Sequence, residues 1–97
     1  MEKGGYIYIM TNKLGGTLYI GVTSDLAQRI AQHKSGAVRG FAQKHGCHTL
    51  VYVEHHETIE AAIIREKQMK KWNRAWKLRL INQQNRERKD LAETCFV

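Results

Sequence analysis

Two short runs near the start of the chain alternate apolar and aromatic residues with a period of two, with turn formers between them. They are Tyr6-Ile7-Tyr8-Ile9-Met10, then Thr11-Asn12-Lys13-Leu14-Gly15-Gly16, then Thr17-Leu18-Tyr19-Ile20-Gly21. Tyr and Ile suit a pleated, half-buried surface, and Asn and Gly tolerate the left-handed backbone of tight turns. The stretch predicts an antiparallel hairpin. Its period places Tyr6, Tyr8 and Met10 on one face and Ile7 and Ile9 on the other, with Tyr19 sharing a face with Thr17 and Gly21. Tyr8 and Tyr19 lie nearly symmetrically about the turn, so two phenols are expected side by side on one face. Pattern alone is met equally well by half-buried hairpin tyrosines with wet hydroxyls.

The 97 residues suit one compact domain spanning 1–97, with an ordered core over about 5–85 and a C-terminal tail over 86–97. No apolar run is long enough to cross a bilayer, the start lacks a signal-peptide apolar region, and two cysteines are too few for a disulfide framework. A reduced, cytoplasmic protein with no membrane association is the expectation. Sixteen Lys and Arg against nine Asp and Glu give a net charge of +7. The cations crowd between Arg65 and Arg79, which points to a polyanionic partner rather than to solubility alone.

After the hairpin, Thr23-Ser24-Asp25 opens a helix over about 25–34, with Leu26 and Ile30 as its apolar stripe and Arg29 and His33 beside that stripe. Arg39 and Lys44 fall in an irregular connection, in which Phe41–His45 is read as a helical turn. A third strand covers His48–Glu54, followed by His55-His56-Glu57. A zinc site among His45, Cys47, His48, His55 and His56 is disfavoured, because the spacing matches no common zinc pattern. Thr58 caps the next helix, which runs from Ile59 to the mid-seventies with a kink or break near Asn73–Trp76. Its buried stripe is read as Ile59, Ala62, Ile63, Met69 and Trp76. Glu66 falls inside that stripe, where a carboxylate needs a partner. The two readings are a salt bridge to Arg29 or another cation at the core edge, and a metal ligand or acid/base group at the edge of the sheet. Asn82–Asn85 terminates the helical pattern.

The spelling Tyr6-Ile7-Tyr8, ten residues, then Tyr19-Ile20-Gly21 resembles the signature of the GIY-YIG nucleases, with Tyr6 where the name-giving Gly stands. Arg29 follows ten residues after Tyr19, and His33 one turn later. Phe41-Ala42-Gln43-Lys44, Leu50-Val51-Tyr52-Val53-Glu54 and Arg65-Glu66-Lys67-Gln68-Met69-Lys70-Lys71-Trp72 resemble segments of short bacterial members. The resemblance covers nearly the whole chain. It implies an α+β fold, a three-stranded, mainly antiparallel sheet flanked by helices. It also implies hydrolysis of DNA phosphodiesters with one Mg²⁺ or Mn²⁺ ion, with DNA repair or recombination as the setting. Tyr8, Tyr19, Arg29, His33, Glu66 and Asn85 are its implied catalytic residues, with Glu66 as the metal ligand. Lys13, Arg39, Lys44, Lys70, Lys71, Arg74 and Lys77 are the expected nucleic-acid contacts. Some members carry a helper Lys where Val22 stands here. Family members are usually aimed by a separate DNA-binding module, for which 97 residues leave no room, so a protein partner or a homo-oligomer is an expected route to targeting. Two further readings stand beside the DNA endonuclease. One is a non-catalytic nucleic-acid-binding module that keeps the fold. The other is a structure-selective nuclease acting on branched or single-stranded DNA, or on RNA.

Overall fold

A computed structural model, in which residues 4–13, 15–35 and 46–92 are described, makes the first strand of the hairpin the centre of the molecule. Strand β1 (Gly5–Thr11) lies between β2 (Leu18–Thr23) and β3 (Thr49–His56). Both pairings are antiparallel. Among the described residues three helices complete the fold: α1 (Leu26–Ser35), α2 (Ile59–Lys70) and α3 (Arg74–Gln84). The fold is the α+β arrangement expected from the sequence. Lys44, Arg39 and the expected helical turn over Phe41–His45 lie outside the described residues.

The hairpin turns at Gly15, which has φ +73°, a left-handed value that favours glycine. Asn12 Oδ1 accepts from the Thr17 amide at 3.0 Å and fixes the loop. The register pairs Tyr8 with Gly21 and Met10 with Tyr19. Tyr8 and Tyr19 therefore share a face but stand diagonally, not opposite each other, because the hairpin closes one residue later than their symmetry suggests.

The pleat of β1 feeds two cores. On one side Ile7 and Ile9 pack with Ile20, Tyr52, Ala62, Met69 and Ile81, under α2 and α3. On the other, Tyr8 and Met10 pack with Leu26, Ile30, Cys47 and Leu50, under α1. Asp25 caps α1 by accepting from the Gln28 amide at 3.1 Å.

Strand β3 runs further than the sequence suggested, because Gly5 and Tyr6 of β1 pair with His56 and His55 and draw both histidines into the sheet. Pairing skips Val51 between Met10–Leu50 and Ile9–Tyr52, a β-bulge. The outer edge of β3 is covered rather than bare. Gln84 accepts from the Val53 amide at 2.9 Å and donates to its carbonyl at 2.7 Å, Asp90 accepts from the Leu50 amide, and the Leu91 amide donates to Leu50 O. Side chains here do along Leu50–Val53 what a fourth strand would do and blunt that part of the edge.

The helical pattern after Thr58 divides at Lys71–Asn73. Asn73 caps α3 by accepting from the Trp76 amide at 3.0 Å. Two residues assigned to the buried stripe face outward instead: Ile63 is 36 % exposed and Trp76 49 %. The break resets the phase of the second helix, and the buried line of α2 is Ala62, Glu66 and Met69. Glu54 ties α2 to β3. It accepts from Tyr52, Arg65 and His56, and Arg65 lies 4.9 Å over the Trp72 ring. Burial alone would raise the Glu54 pKa, but these three hydrogen bonds outweigh it and hold the carboxyl below its ordinary value. Among the described residues no helix is long and apolar enough to cross a membrane.

Candidate active site

Three of the expected residues meet on the α1 side of the sheet. Tyr8 is 1 % exposed, and its hydroxyl lies 3.0 Å from Nε2 of His33, itself 3 % exposed. The Tyr19 ring lies 6.2 Å from Tyr8 and 5.3 Å from His33, centre to centre. β1 presents Tyr8, β2 presents Tyr19, and the last turn of α1 brings His33 against both.

The Tyr8–Gly21 pairing explains how a phenol fits inside so small a sheet. A Cβ on Gly21 would sit 2.3 Å from Cζ and from Oη of Tyr8. The glycine is needed for what lies above it, not for an unusual backbone angle. Reading the sequence treats Gly21 as part of a motif and misses this contact, which counting the pairs outward from the closed turn would have found.

Two charges act on this cluster. Burial, followed by the neighbouring Tyr19 phenol, pushes the Tyr8 pKa well above its ordinary value, and Arg29 opposes the shift while Glu66 adds to it. Burial, followed by Arg29 and then His48, lowers the His33 pKa. Tyr8 is therefore protonated and His33 neutral near pH 7, and the imidazole can accept on Nε2. Arg29 on α1 and Glu66 on α2 are both near enough for their charges to reach Tyr8.

Glu66 is buried as the sequence suggested, 8 % exposed, but its partner is Lys70 at 3.0 Å rather than Arg29. The pair is an i, i+4 neighbour along α2, so the helix itself supplies the counter-charge. The Lys70 side chain is 55 % exposed, so the bridge reaches from the core into solvent. Beside it a cleft of about 260 Å³ is lined by Leu18, Tyr19, Ile20, Lys70 and Lys77. This cleft joins the more accessible phenol to two of the expected nucleic-acid contacts.

The other expected residues lie apart from this group. Asn85 is buried, with its amide donating to the Val51 and Lys89 carbonyls and its oxygen accepting from the Lys89 amide. It turns the chain after α3 and secures it against β3. Arg74 donates to Gly16 O at 2.6 Å, binding α3 to the hairpin turn. Lys13 and Lys71 are exposed, Lys13 in the hairpin turn and Lys71 at the end of α2.

A single buried carboxylate suits a hard cation that keeps most of its water and takes further oxygens from a substrate phosphate. Among the described residues there is no group of three or more His, Cys, Asp or Glu that could hold a metal by protein ligands alone. The donor set fits Mg²⁺ or Mn²⁺ better than a dedicated zinc centre.

The profile of the GIY-YIG catalytic domain matches residues 4–79, which include Tyr8, Tyr19, Arg29, His33 and Glu66 but not Asn85. A UPF0213 protein of Staphylococcus saprophyticus is 36 % identical over 78 residues, covering 80 % of this chain and 94 % of that one. A UPF0213 protein of Streptococcus sanguinis is 33 % identical over 84 residues, 86 % of this chain and 94 % of that one. One from the archaeon Natronomonas pharaonis is 32 % identical over 81 residues, 84 % and 94 % respectively. No solved structure gives a significant match. With the catalytic-domain profile running through the hairpin, α1 and Glu66, the chain belongs to the GIY-YIG family.

Proposed function

We propose that the protein is a divalent-metal-dependent endonuclease that hydrolyses DNA phosphodiesters at the Tyr8–Tyr19–His33 cluster. The observation that carries the reading is the buried Tyr8–His33 hydrogen bond, with Arg29 and Glu66 both acting on Tyr8. A hairpin stabilised only by tyrosine packing requires neither a buried imidazole against the phenol nor a cation and a carboxylate beside it.

Each group has work to do in this reaction. Glu66 would hold the cation, which supplies charge neutralisation at the phosphate and the leaving oxygen when bound. Lys70 stands on Glu66 in the free protein while already lining the adjoining cleft, and is released when the carboxylate is claimed. There it would join Lys77 as a phosphate contact. Arg29 donates its planar fork to the non-bridging oxygens as charge builds on phosphorus. Tyr19, the less buried phenol, is the group that meets the attacking water. Tyr8 passes proton density to neutral His33, whose low pKa keeps it ready to accept at neutral pH. One P–O bond forms to the water oxygen, the ester P–O bond breaks, the proton released by the water enters the Tyr–His network, and the leaving oxygen takes a proton from solvent. Lys13, Lys71 and Arg74 lie on exposed or turn positions from which they contact the flanking backbone, as Arg39 and Lys44 are expected to do.

The test is cleavage of labelled duplex, nicked, branched and single-stranded DNA, and of RNA, with Mn²⁺, Mg²⁺ or EDTA, by wild type and Glu66→Gln. Metal-dependent cleavage that is lost in Glu66→Gln is expected. The variant should melt close to wild type, because the lysine released is half in solvent and Gln keeps the size of the buried side chain without its charge. Retained metal-dependent cleavage by Glu66→Gln would remove the metal assignment. Binding without cleavage of any substrate would leave a nucleic-acid-binding module on the same fold.

A further inference from the structure

The face of α3 that carries Trp76, Arg79 and Gln83 has features that phosphodiester hydrolysis at the phenol cluster does not use. Trp76 is half exposed, an unusual position for the largest apolar side chain in a small protein. It is not loosely held. The Trp72 ring meets it edge-on, 5.9 Å away at 77°, and Arg65 backs Trp72 at 4.9 Å. The stack Arg65–Trp72–Trp76 thus fixes the orientation of an indole whose outer side is wet.

Two shallow grooves meet along this helix. One, of about 190 Å³, is lined by Trp72, Trp76, Arg79, Leu80 and Gln83. The other, of about 780 Å³, is lined by Ala75, Leu78, Arg79, Asn82, Gln83 and Arg86. Arg79 and Gln83 belong to both, so the grooves are continuous. Neither lining contains an acidic side chain. Arg79 on α3 and Arg86 in the turn just past its C-cap are both exposed and both line the larger groove.

We propose that this groove is a second nucleic-acid site that takes unpaired nucleobases, with a base stacked on Trp76 and the adjoining phosphates on Arg79 and Arg86. Base-on-aromatic stacking needs an open π-face, which a single strand offers and an intact duplex withholds. The arginines supply the charge complement, and Gln83 between them can hydrogen-bond a base edge without requiring one sequence. Trp72, Leu78 and Leu80 pack against the Ile7–Ile9 core, whereas Tyr8 and Tyr19 belong to the opposite cluster. The groove shares no lining residue with the cleft of Tyr19, Lys70 and Lys77, although Lys77 lies on the same helix, so a strand stacked on Trp76 is held beside that cleft and not in it. For a 97-residue chain this provides a targeting surface within the catalytic domain itself.

The experiment is a titration of tryptophan fluorescence with a twenty-residue oligothymidylate and with a blunt duplex of equal phosphate number, in EDTA. Binding here does not depend on hydrolysis, so its failure and that of the nuclease reading are separable. Wild type is expected to bind the single strand with quenching and to bind the duplex more weakly. Trp76→Ala should weaken single-strand affinity about tenfold or more and Trp76→Phe by no more than about threefold, as expected for one stacked base. The Arg79→Gln/Arg86→Gln double variant should lower the slope of log affinity against log salt by about 1.4 on the single strand. If Trp76→Ala folds poorly, Trp76→Phe and the arginine variant carry the test. Unchanged single-strand affinity in Trp76→Ala, or an unchanged salt slope in the arginine variant, would overturn the proposal. So would conversion of a dimer to a monomer by Trp76→Ala with oligothymidylate affinity intact, which assigns the face to a second copy of this chain.

Discussion

Gly21→Ala is the smallest change that tests how the site is built. The added Cβ would lie 2.3 Å from Cζ and Oη of Tyr8 and 2.8 Å from Cε1, against an optimum of about 3.5–4.0 Å between carbon atoms. A free ring tip would swing aside cheaply. This one is enclosed by Met10, Leu26 and Ile30 and bonded to His33, so moving it repacks a core and breaks a buried hydrogen bond. Overpacking costs about 1–3 kcal/mol, and stranding a buried polar group costs about 1–3 kcal/mol more. A loss of ~3 kcal/mol lies in the lower half of the combined range of about 2–6 kcal/mol. For a domain of this size each kcal/mol moves Tm by about 4–8 °C, so the variant should melt roughly 12–24 °C below wild type.

The assay is thermal unfolding followed by circular dichroism, run as a double-mutant cycle with Tyr8→Leu. A leucine lacks the ring tip, so the extra methyl then has room, and Gly21→Ala should cost less than about 0.5 kcal/mol in that background. Most of the single-variant cost should therefore appear as coupling between the two positions. Melting of Gly21→Ala within a few degrees of wild type, or an equal cost with and without the Tyr8 ring, would refute the close-approach account.

Arg29→Lys should keep the fold and lower the cleavage rate by at least tenfold, because the charge remains but the bidentate fork is lost; equal rates in single-turnover assays would make Arg29 a boundary residue. The pH–rate profile should fall on the acid side as His33 becomes protonated, and its lowered pKa places that limb below 6.5. Because Arg29 helps to depress the His33 pKa, the neutral variant Arg29→Gln should move the limb to higher pH in whatever residual activity it keeps, and an unmoved limb would break the link to His33. DNA affinity measured without metal should fall steeply with salt, and Lys71→Ala should reduce the log–log slope by about 1. Adding Lys70→Ala should change the slope by less than a further ~1, since Lys70 is already occupied by Glu66. A full second increment would show that Lys70 leaves Glu66 for DNA even without metal.

The sheet was legible because its residues alternate with a period that admits one interpretation: Tyr8 and Met10 could not share a face with Ile7 and Ile9. The burial of Glu66 was legible from its place between apolar turns, but its partner was not. An i, i+4 lysine that reaches back from solvent looks on paper like any exposed cation. Trp76 was misjudged because one helical period was carried through Lys71–Asn73, whereas Asn73 starts a new helix with its own phase. The covered edge of β3 was hidden for another reason. Gln84 and Asp90 meet that strand only after the chain has turned back, and no local pattern announces a side chain that substitutes for a backbone.

The site depends on register more than on any single contact. Tyr8 lies between Ile7 and Ile9 on one strand, and those two isoleucines pack in the same core as Ala62 and Met69 of α2, the helix that carries Glu66. A slip of one residue in β1 would turn Tyr8 toward α2 and the isoleucines toward His33, destroying both cores and the site together. The features that prevent the slip are spread along the strand. At one end Asn12 closes the loop on Thr17, and Arg74 holds Gly16 against α3. On the other flank the bulge at Val51 admits only one pairing of β3, and Asn85 fastens that residue by its carbonyl. Arg74 and Asn85 thus bear on the Tyr8–Tyr19–His33 cluster through the position of β1, so Asn85→Ala should lower the melting temperature and, if the cluster cleaves DNA, its rate as well.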